Sequence, residues 1–575
     1  MDKVAAALYF LVVILEVILI FNLLIVVHEL GHFLAARWRG LVVEQFAVWF
    51  GKPIWKRTYN GVVYSLGSIP FGGFVKLPQM APMESIEGES ETPREMLPPV
   101  TPLDKIIVAF AGPLFSMMLA VVFAVVVWAV KRPLTQAELS TTVGYVVPDG
   151  PAAKAASDVS KDMVGLQPGD QVLEVDHHPV SRFGGMNGSI VWYVARSEGD
   201  KIPFKVQRGD QTVTFYAKID PDTSAKEGGG WFHRRPLREV GIQPAFDSVV
   251  GEVAPDSPAS RAGLLKGDVI TAVDGQTIHN PTALEMQELS SFNKGLELTV
   301  QRGAETLHKT LPGMPFRIGA VTSGSPADKE GGLRHDDAIL AVNDVAPASL
   351  ADFKATINSQ VDHAVTLTIS RNNGGPQTVQ VTPRKLKDQD QAAIGILADA
   401  ADGISWMEGG RMKNVPESPA DQITTSVMSI VNTVGAVIAP KSSIKLQHLG
   451  GPVMIAETYY RLLTSEHGWR LALWFSVVLN VNLALLNLLP VPLFDGGHIL
   501  MGLIEMIRRK PISVRVLEMI QVTCFVVVVG YMLYITSFDL VELVSGGRRQ
   551  RNVEFRAPAA TPAPAATPAP TAPAK

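Results

Sequence analysis

Residues 23–38 read LLIVVHELGHFLAARW. Two histidines and a glutamate (His28, Glu29 and His32) interrupt an apolar run that extends over residues 4–36. That run exceeds the roughly 20 residues a helix needs to cross a bilayer. An ionised side chain at the bilayer centre costs about 2.5–3.5 kcal/mol even on insertion scales. Three ionisable groups so close together therefore need a compensating partner. Residues four apart share a helix face, so His28 and His32 can offer imidazole nitrogens to one divalent cation. The bland alternative, two histidines on a polar face near the membrane boundary, leaves that cost unmet.

The spacing is the H-E-x-x-H arrangement of zinc hydrolases, with Glu29 placed to take a proton from an activated water. The single cysteine, Cys524, lies in the apolar run VTCFVVVVG, which excludes a disulfide framework and a cysteine-based zinc site. Any metal must be held by His, Asp or Glu. A catalytic zinc takes three protein ligands and keeps one position open. The candidate third ligand lies in NVNLALLNLLPVPLFDGGH, residues 480–498. Pro490 and Pro492 must break a helix there, and Gly496 and Gly497 are expected to keep the backbone irregular just after Asp495. Asp495 is the first choice and His498 a weaker rival. The competing reading of Asp495 is a cap for the helix that follows. Asn482 and Asn487 put amides in the preceding apolar helix, to bond substrate backbone or an oxyanion, or to join helices.

The chain has 575 residues, 47% hydrophobic and 18% charged, with a mean hydropathy of +0.19. A net charge of −4 gives no reason to expect nucleic acid as a partner. Apolar runs at 4–36, 106–130, 469–489 and 516–535 predict four membrane spans. The first is expected to be a retained helix, because it is longer than the core of a signal peptide and no small-x-small cleavage site precedes the histidines. Basic residues place the loop after the first span (Arg37, Arg39, Lys52, Lys56, Arg57, Lys76) and the last connection (Arg508, Arg509, Lys510, Arg515) in the cytoplasm. The basic stretch GGRRQRNVEFR, 546–556, argues the other way, but the two short loops agree with each other. VVYSLGSIPFGGFVKLPQM, 62–80, alternates apolar and small residues around Pro70, Gly72 and Gly73, predicting a membrane-associated β-hairpin on the same side as the histidines. The segment 421–456 is amphipathic with polar interruptions and reads as an interfacial helix more than a span. The acidic 84–95 reads as a solvated loop and the Pro/Ala tail as an extended segment.

The middle region repeats itself. GPAAKA…GLQPGDQVLEVDHHPV, SPASRAGLLKGDVITAVDGQTI and SPADKEGGLRHDDAILAVNDVAP align, each a small-residue helix start, a turn (PGD, KGD, HDD) and an alternating strand. Later in each comes a strand ending in a basic turn: FKVQRGD, LTVQRGA, LTISRNN. The pattern resembles the bacterial PDZ domain in three copies, the third least regular. A PDZ fold binds peptide as an added strand; a spacer or steric filter is the alternative. The expected organisation is a membrane region over 1–140, PDZ-like units over 141–246, 247–315 and 316–400, a second membrane region over 415–545 and the tail over 546–575.

Taken in order, HELGH, IPFGGFVK, FAGPLFSMM, the PDZ-like region, IKLQHLGGPV and NLALLNLLPVPLFDGGH resemble the site-2 protease family of intramembrane zinc metalloproteases, over most of the chain. The resemblance implies a polytopic α-helical protein of the bacterial inner membrane, with its PDZ-like units extracytoplasmic and its active site near the cytoplasmic side. It implies one zinc ion on His28, His32 and Asp495, Glu29 as catalytic base, and substrate handling by Asn482, Asn487 and the hairpin glycines Gly72 and Gly73. Substrates would be pre-trimmed membrane proteins, an anti-sigma factor or remnant signal peptides, met within the lipid bilayer. A third PDZ-like repeat departs from the family's usual two. An inactive PDZ scaffold and a metal transporter are the competing readings; the full set of Glu29, two histidines and Asp495 disfavours the first, and a single ligand set in four spans disfavours the second.

Overall fold

The computed structural model describes residues 3–80, 97–219, 234–371, 374–386, 391–400, 402–510 and 514–544. The acidic 84–95, the basic 546–556 and the Pro/Ala tail lie outside these residues. The helices that matter below are α1 (Lys3–Trp38), α2 (Pro102–Val130), α3 (Pro281–Ser290), α4 (Pro419–Ile438), α5 (Pro452–Leu463), α6 (Gly468–Asn487), α7 (Asp495–Arg508) and α8 (Val514–Val544). Among them α1, α2, α6 and α8 are long and apolar enough to cross a membrane, which agrees with the four predicted spans.

Helix α2 begins where its sequence says it should. Thr101 accepts from the Asp104 N–H, Asp104 accepts from the Thr101 N–H, and Pro102 occupies the first turn, where its missing donor is not needed. Arg39, just past the end of α1, donates to Asp104 at 2.7 Å and fixes the two helices together at that end. The helices touch closely: a Cβ on Gly31 would lie 2.4 Å from the Ala111 carbonyl oxygen. Helix α4 is amphipathic as expected. Met428, Val431, Val434 and Ile438 are exposed, while Gln422 is buried and donates to the Ala124 carbonyl of α2. The amphipathic segment expected to run on to Ala456 is divided: α4 ends at Ile438 and α5 begins at Pro452. Helix α5 is anchored by the fully buried Tyr459, whose hydroxyl meets Ser476 of α6 at 2.8 Å.

Between α1 and α2 lies a four-stranded sheet, and here the expected hairpin over 62–80 is corrected. The strands are β1 (Gln45–Phe50), β2 (Trp55–Tyr59), β3 (Val62–Leu66) and β4 (Ile69–Lys76), in the order β2-β3-β1-β4. The hairpin is β2–β3, turned by Asn60-Gly61 with both φ positive, as a tight two-residue turn demands. Strand β3 runs parallel to β1 on one side, and β4 runs antiparallel to it on the other. Alternation marks 62–66 and 69–76 as strands but carries no information about partners. Gly67 takes the chain across β1, so close to it that a Cβ would lie 2.2 Å from the Phe50 carbonyl oxygen. Strand β4 is thereby an edge strand lying along α1.

The region between α2 and α4 forms three β units. The second has strands in the order Glu305–Leu311, Leu296–Arg302, Val269–Val273, Ser248–Val253, Ile404–Trp406, and the third Pro376–Val381, Val365–Ser370, Ala338–Val342, Phe316–Val321, Ile396–Asp399. The two orders correspond, but the last strand of the second unit follows the whole third unit in sequence. The third unit is thus inserted between the body of the second and the strand that closes it. Helix α3 of the second unit spans the junction: Leu289 and Phe292 pack into the core of the third, with the Phe292 and Phe316 rings stacked at 5.1 Å.

The repeated turn and the repeated basic strand end are two halves of one device. Arg208 binds Asp170, Arg302 binds Asp268 and Arg371 binds Asp337, each through two nitrogens at 2.6–2.8 Å. Each arginine also donates to a backbone carbonyl, that of Gly165, Gly263 or Gly332. These arginines hold Asp268 and Asp337 below the usual carboxylate range against the upward push of burial. The irregular HDD turn keeps this device, because Asp336 takes the left-handed conformation (φ 70°) that Gly169 and Gly267 take in the other repeats.

Candidate metal centre

His28 and His32 lie on the face of α1 turned toward α2, each with its outer nitrogen engaged there. His28 Nδ1 is 2.9 Å from the Ser116 hydroxyl, and His32 Nδ1 is 2.8 Å from the Val108 carbonyl oxygen. A carbonyl only accepts, so His32 carries its proton on Nδ1 and its Nε2 lone pair points inward. Gly112 makes room for both rings: a Cβ there would lie 2.2 Å from His32 Nε2 and 2.8 Å from His28 Nε2.

Asp495 reaches the same point from the other end of the chain. Helix α6 ends at Asn487, before Pro490 and Pro492, as expected. Contrary to expectation, Gly496 and Gly497 do not keep the backbone irregular; they lie inside α7, which starts at Asp495. Their role is close approach, since a Cβ on either would meet a carbonyl oxygen of Leu488 or Val491 at 2.2–2.3 Å. That folds the 488–494 turn tightly onto the first turn of α7. The N-cap position falls to Phe494, and Asp495, in the first turn, faces the histidines. Its Oδ2 is 3.1 Å from His28 Nε2 and its Oδ1 3.3 Å from His32 Nε2, while the two Nε2 atoms are 3.2 Å apart.

The donor set fits a metal. Ligand atoms about 2.0–2.1 Å from a tetrahedral zinc are roughly 3.3 Å from one another, close to the sides of this triangle. The His32 Nε2 lone pair, His28 Nε2 and the Asp495 carboxylate converge in one buried place, the nitrogen and oxygen donor set that suits a divalent cation such as zinc. Among the described residues this is the one cluster of His, Cys, Asp or Glu with metal-binding spacing.

The centre opens into a cavity of about 370 Å³, a volume typical of small-ligand sites. Glu29, Asn487, His498, Gly73, Phe74, Val75 and Gln521 contribute to its wall. Glu29 lies against β4, where a Cβ on Gly73 would be 3.7 Å from its Cγ. Asn487 Nδ2 lies 3.4 Å from His28 Nε2. His498 stands beside the triangle without belonging to it. Of the other expected substrate residues, Gly73 lines the cavity, Gly72 packs behind it against the Phe50 ring, and Asn482 is outside its wall. Two residues that sequence reasoning missed are Ser116 and Gln521. FAGPLFSMM gave a signal for the first only as a helix opening, and Gln521 stood out only as an amide in an apolar span.

Known proteins are similar to this chain over most of its length. The family described as peptidase family M50 matches residues 16–531. A Neisseria meningitidis protein named as a zinc metalloprotease is 28% identical over 505 residues, covering 86% of this chain and 92% of that one. Protease RseP of Yersinia pestis is 27% identical, over 86% of this chain and 91% of its own. The regulator of sigma E protease of Salmonella typhi is 25% identical, over 87% and 92%.

Proposed function

The chain belongs to peptidase family M50 and is a metalloprotease; from that premise we propose that it is an intramembrane endopeptidase with one zinc ion held by His28, His32 and Asp495. The observation that carries this reading is the triangle of ligand atoms with Glu29 beside it, in a cavity among membrane-spanning helices. Zinc bound there supplies a Lewis acid for the scissile carbonyl and lowers the pKa of water. Glu29 accepts the proton of the attacking water and later delivers it to the leaving amine. Asn487, whose amide faces the same place, donates to the developing oxyanion; Asn482 is outside the cavity wall, with its buried amide oxygen unpaired.

A hydrogen-bonded helix hides its carbonyls, so the substrate segment must be unwound before it is cut. Edge strand β4, with Gly73 to Val75 in the cavity wall, offers main-chain groups that hold it extended. The substrates we infer are of the anti-sigma-factor type, with remnant signal peptides as a second class, in keeping with a relative named as a regulator of sigma E protease. The basic loops after α1 and α7 favour an inner-membrane orientation with the metal centre toward the cytoplasm. The three β units, read as PDZ-like with the third nested in the second, then lie outside and restrict access.

The test uses the whole chain in liposomes with a single-span peptide. Fragments cut within the apolar segment, abolished by a chelator and restored by zinc, are expected. Zinc uptake into the liposomes without cleavage would establish the transporter instead, and neither activity the scaffold.

A further inference from the structure

Helix α8 meets the rest of the molecule in two ways. Its second half is packed: Ile535 and Phe538 are 3% and 2% exposed, and Asp539 is bound by Arg234 and by the Met454 N–H. Its first half is loosely held. Among the described side chains from Met519 to Tyr534, all are exposed or half-buried except Gln521, which is 3% exposed. The helix therefore presents one buried group here, and it is the polar one.

Gln521 lines the cavity that holds Glu29 and the His28–His32–Asp495 triangle. Its carboxamide is not joined by a hydrogen bond to another described residue and stands open to the cavity rather than sealed by its neighbours. A carboxamide at membrane depth gains by finding a polar partner, because nothing in an apolar surrounding replaces the hydrogen bonds of water. A helix-joining role would satisfy it from a neighbouring helix, and no such partner is present among the described residues. What the cavity is built to receive has the matching chemistry: an unwound peptide exposes one N–H and one C=O per residue, and a primary amide offers an acceptor and two donors.

We propose that Gln521 is a substrate-binding residue whose carboxamide pairs with a peptide unit of the unwound segment in the cavity. The proposal rests on the proteolytic reading above. It assigns the fourth span a part in recognition alongside strand β4, so that the substrate backbone is held from the helix as well as from the sheet.

The experiment uses the full chain in liposomes and a fluorescent single-span peptide that the wild type cleaves. Gln521→Leu, which keeps the volume and removes the amide, is expected to raise KM about five- to tenfold with zinc content unchanged. Gln521→Asn is expected to recover part of that loss. In a Glu29→Gln background, the same Leu change is expected to weaken peptide binding by a similar factor. A wild-type KM and affinity in Gln521→Leu would overturn the proposal, as would a loss traced to missing zinc. A Glu29→Gln protein that still cuts the peptide contradicts the proteolytic reading, whereas the affinity comparison continues to test Gln521, so the two failures are distinguishable.

Discussion

Asp495 and His28 are 467 positions apart in sequence, and Asp495 Oδ2 lies 3.1 Å from His28 Nε2. The contact exists because α6 stops at Asn487 and the turn before α7 folds onto two glycines. Replacing Asp495 by Asn keeps the volume and removes the charge opposite two imidazoles. Zinc affinity is expected to fall by more than about tenfold, read by competition with a chelating dye. Unchanged affinity would remove Asp495 from the ligand set.

Ser116 is fully buried, and its hydroxyl is 2.9 Å from His28 Nδ1. It orients the ring, as outer partners of metal-bound histidines do. Ser116→Ala is expected to weaken zinc binding roughly tenfold and to move its pH dependence, with partial recovery in Ser116→Thr. If the alanine variant binds zinc as the wild type does, the orienting role is wrong.

How much of this was legible in the sequence depends on the range of the interaction. The spans, the histidine pair and Asp495 were legible because each is marked by local signals: apolar length, four-residue spacing, a proline-broken helix. The pairing of strands was not. Alternation at 62–66 and 69–76 identifies strands, yet β1 lies between them, and nothing in either segment names β1 as the shared neighbour. Helix α5 was not separated from the segment before it because its hold on the molecule is long-range, Tyr459 against Phe21, Phe475 and Ser476 and the Met454 N–H on Asp539. The repeats showed both halves of each clamp, Asp170, Asp268 and Asp337 against Arg208, Arg302 and Arg371, without showing that the halves meet.

Those clamps give a stability prediction. Asp337 is 1% exposed and depends on Arg371 for its compensating charge. Arg371→Ala leaves a buried carboxylate unpaired. The third unit is expected to lose roughly 5 °C or more in melting temperature and to become protease-sensitive at neutral pH. Asp337→Asn combined with Arg371→Ala is expected to recover part of that loss, which a clamp acting only through packing would not do.

At the junction of the second and third units, burial and then Asp402 push Glu288 up to about 10, and burial pushes Asp402 up to about 6. Glu285 and Asp399 add to the negative surroundings. Both carboxyls thus hold protons more tightly folded than unfolded, where carboxyls titrate near about 4. Their contribution to stability is fully present below that value and is lost as pH rises through about 6 and then about 10. Hydrogen exchange in α3 and in 402–406 is expected to slow, after correction for the intrinsic rate, between about pH 8 and about pH 5. Glu288→Gln should flatten that dependence; an unaltered profile in this variant would assign it to other groups.

The most direct measurement is cleavage of a membrane-embedded single-span peptide by Glu29→Gln protein that still carries zinc. The carboxamide occupies the same place but cannot accept the proton, so the expected result is full zinc occupancy with cleavage reduced at least about a thousandfold. Cleavage near the wild-type rate with zinc in place would contradict the assignment of Glu29 and, with it, the reading of HELGH as the catalytic centre.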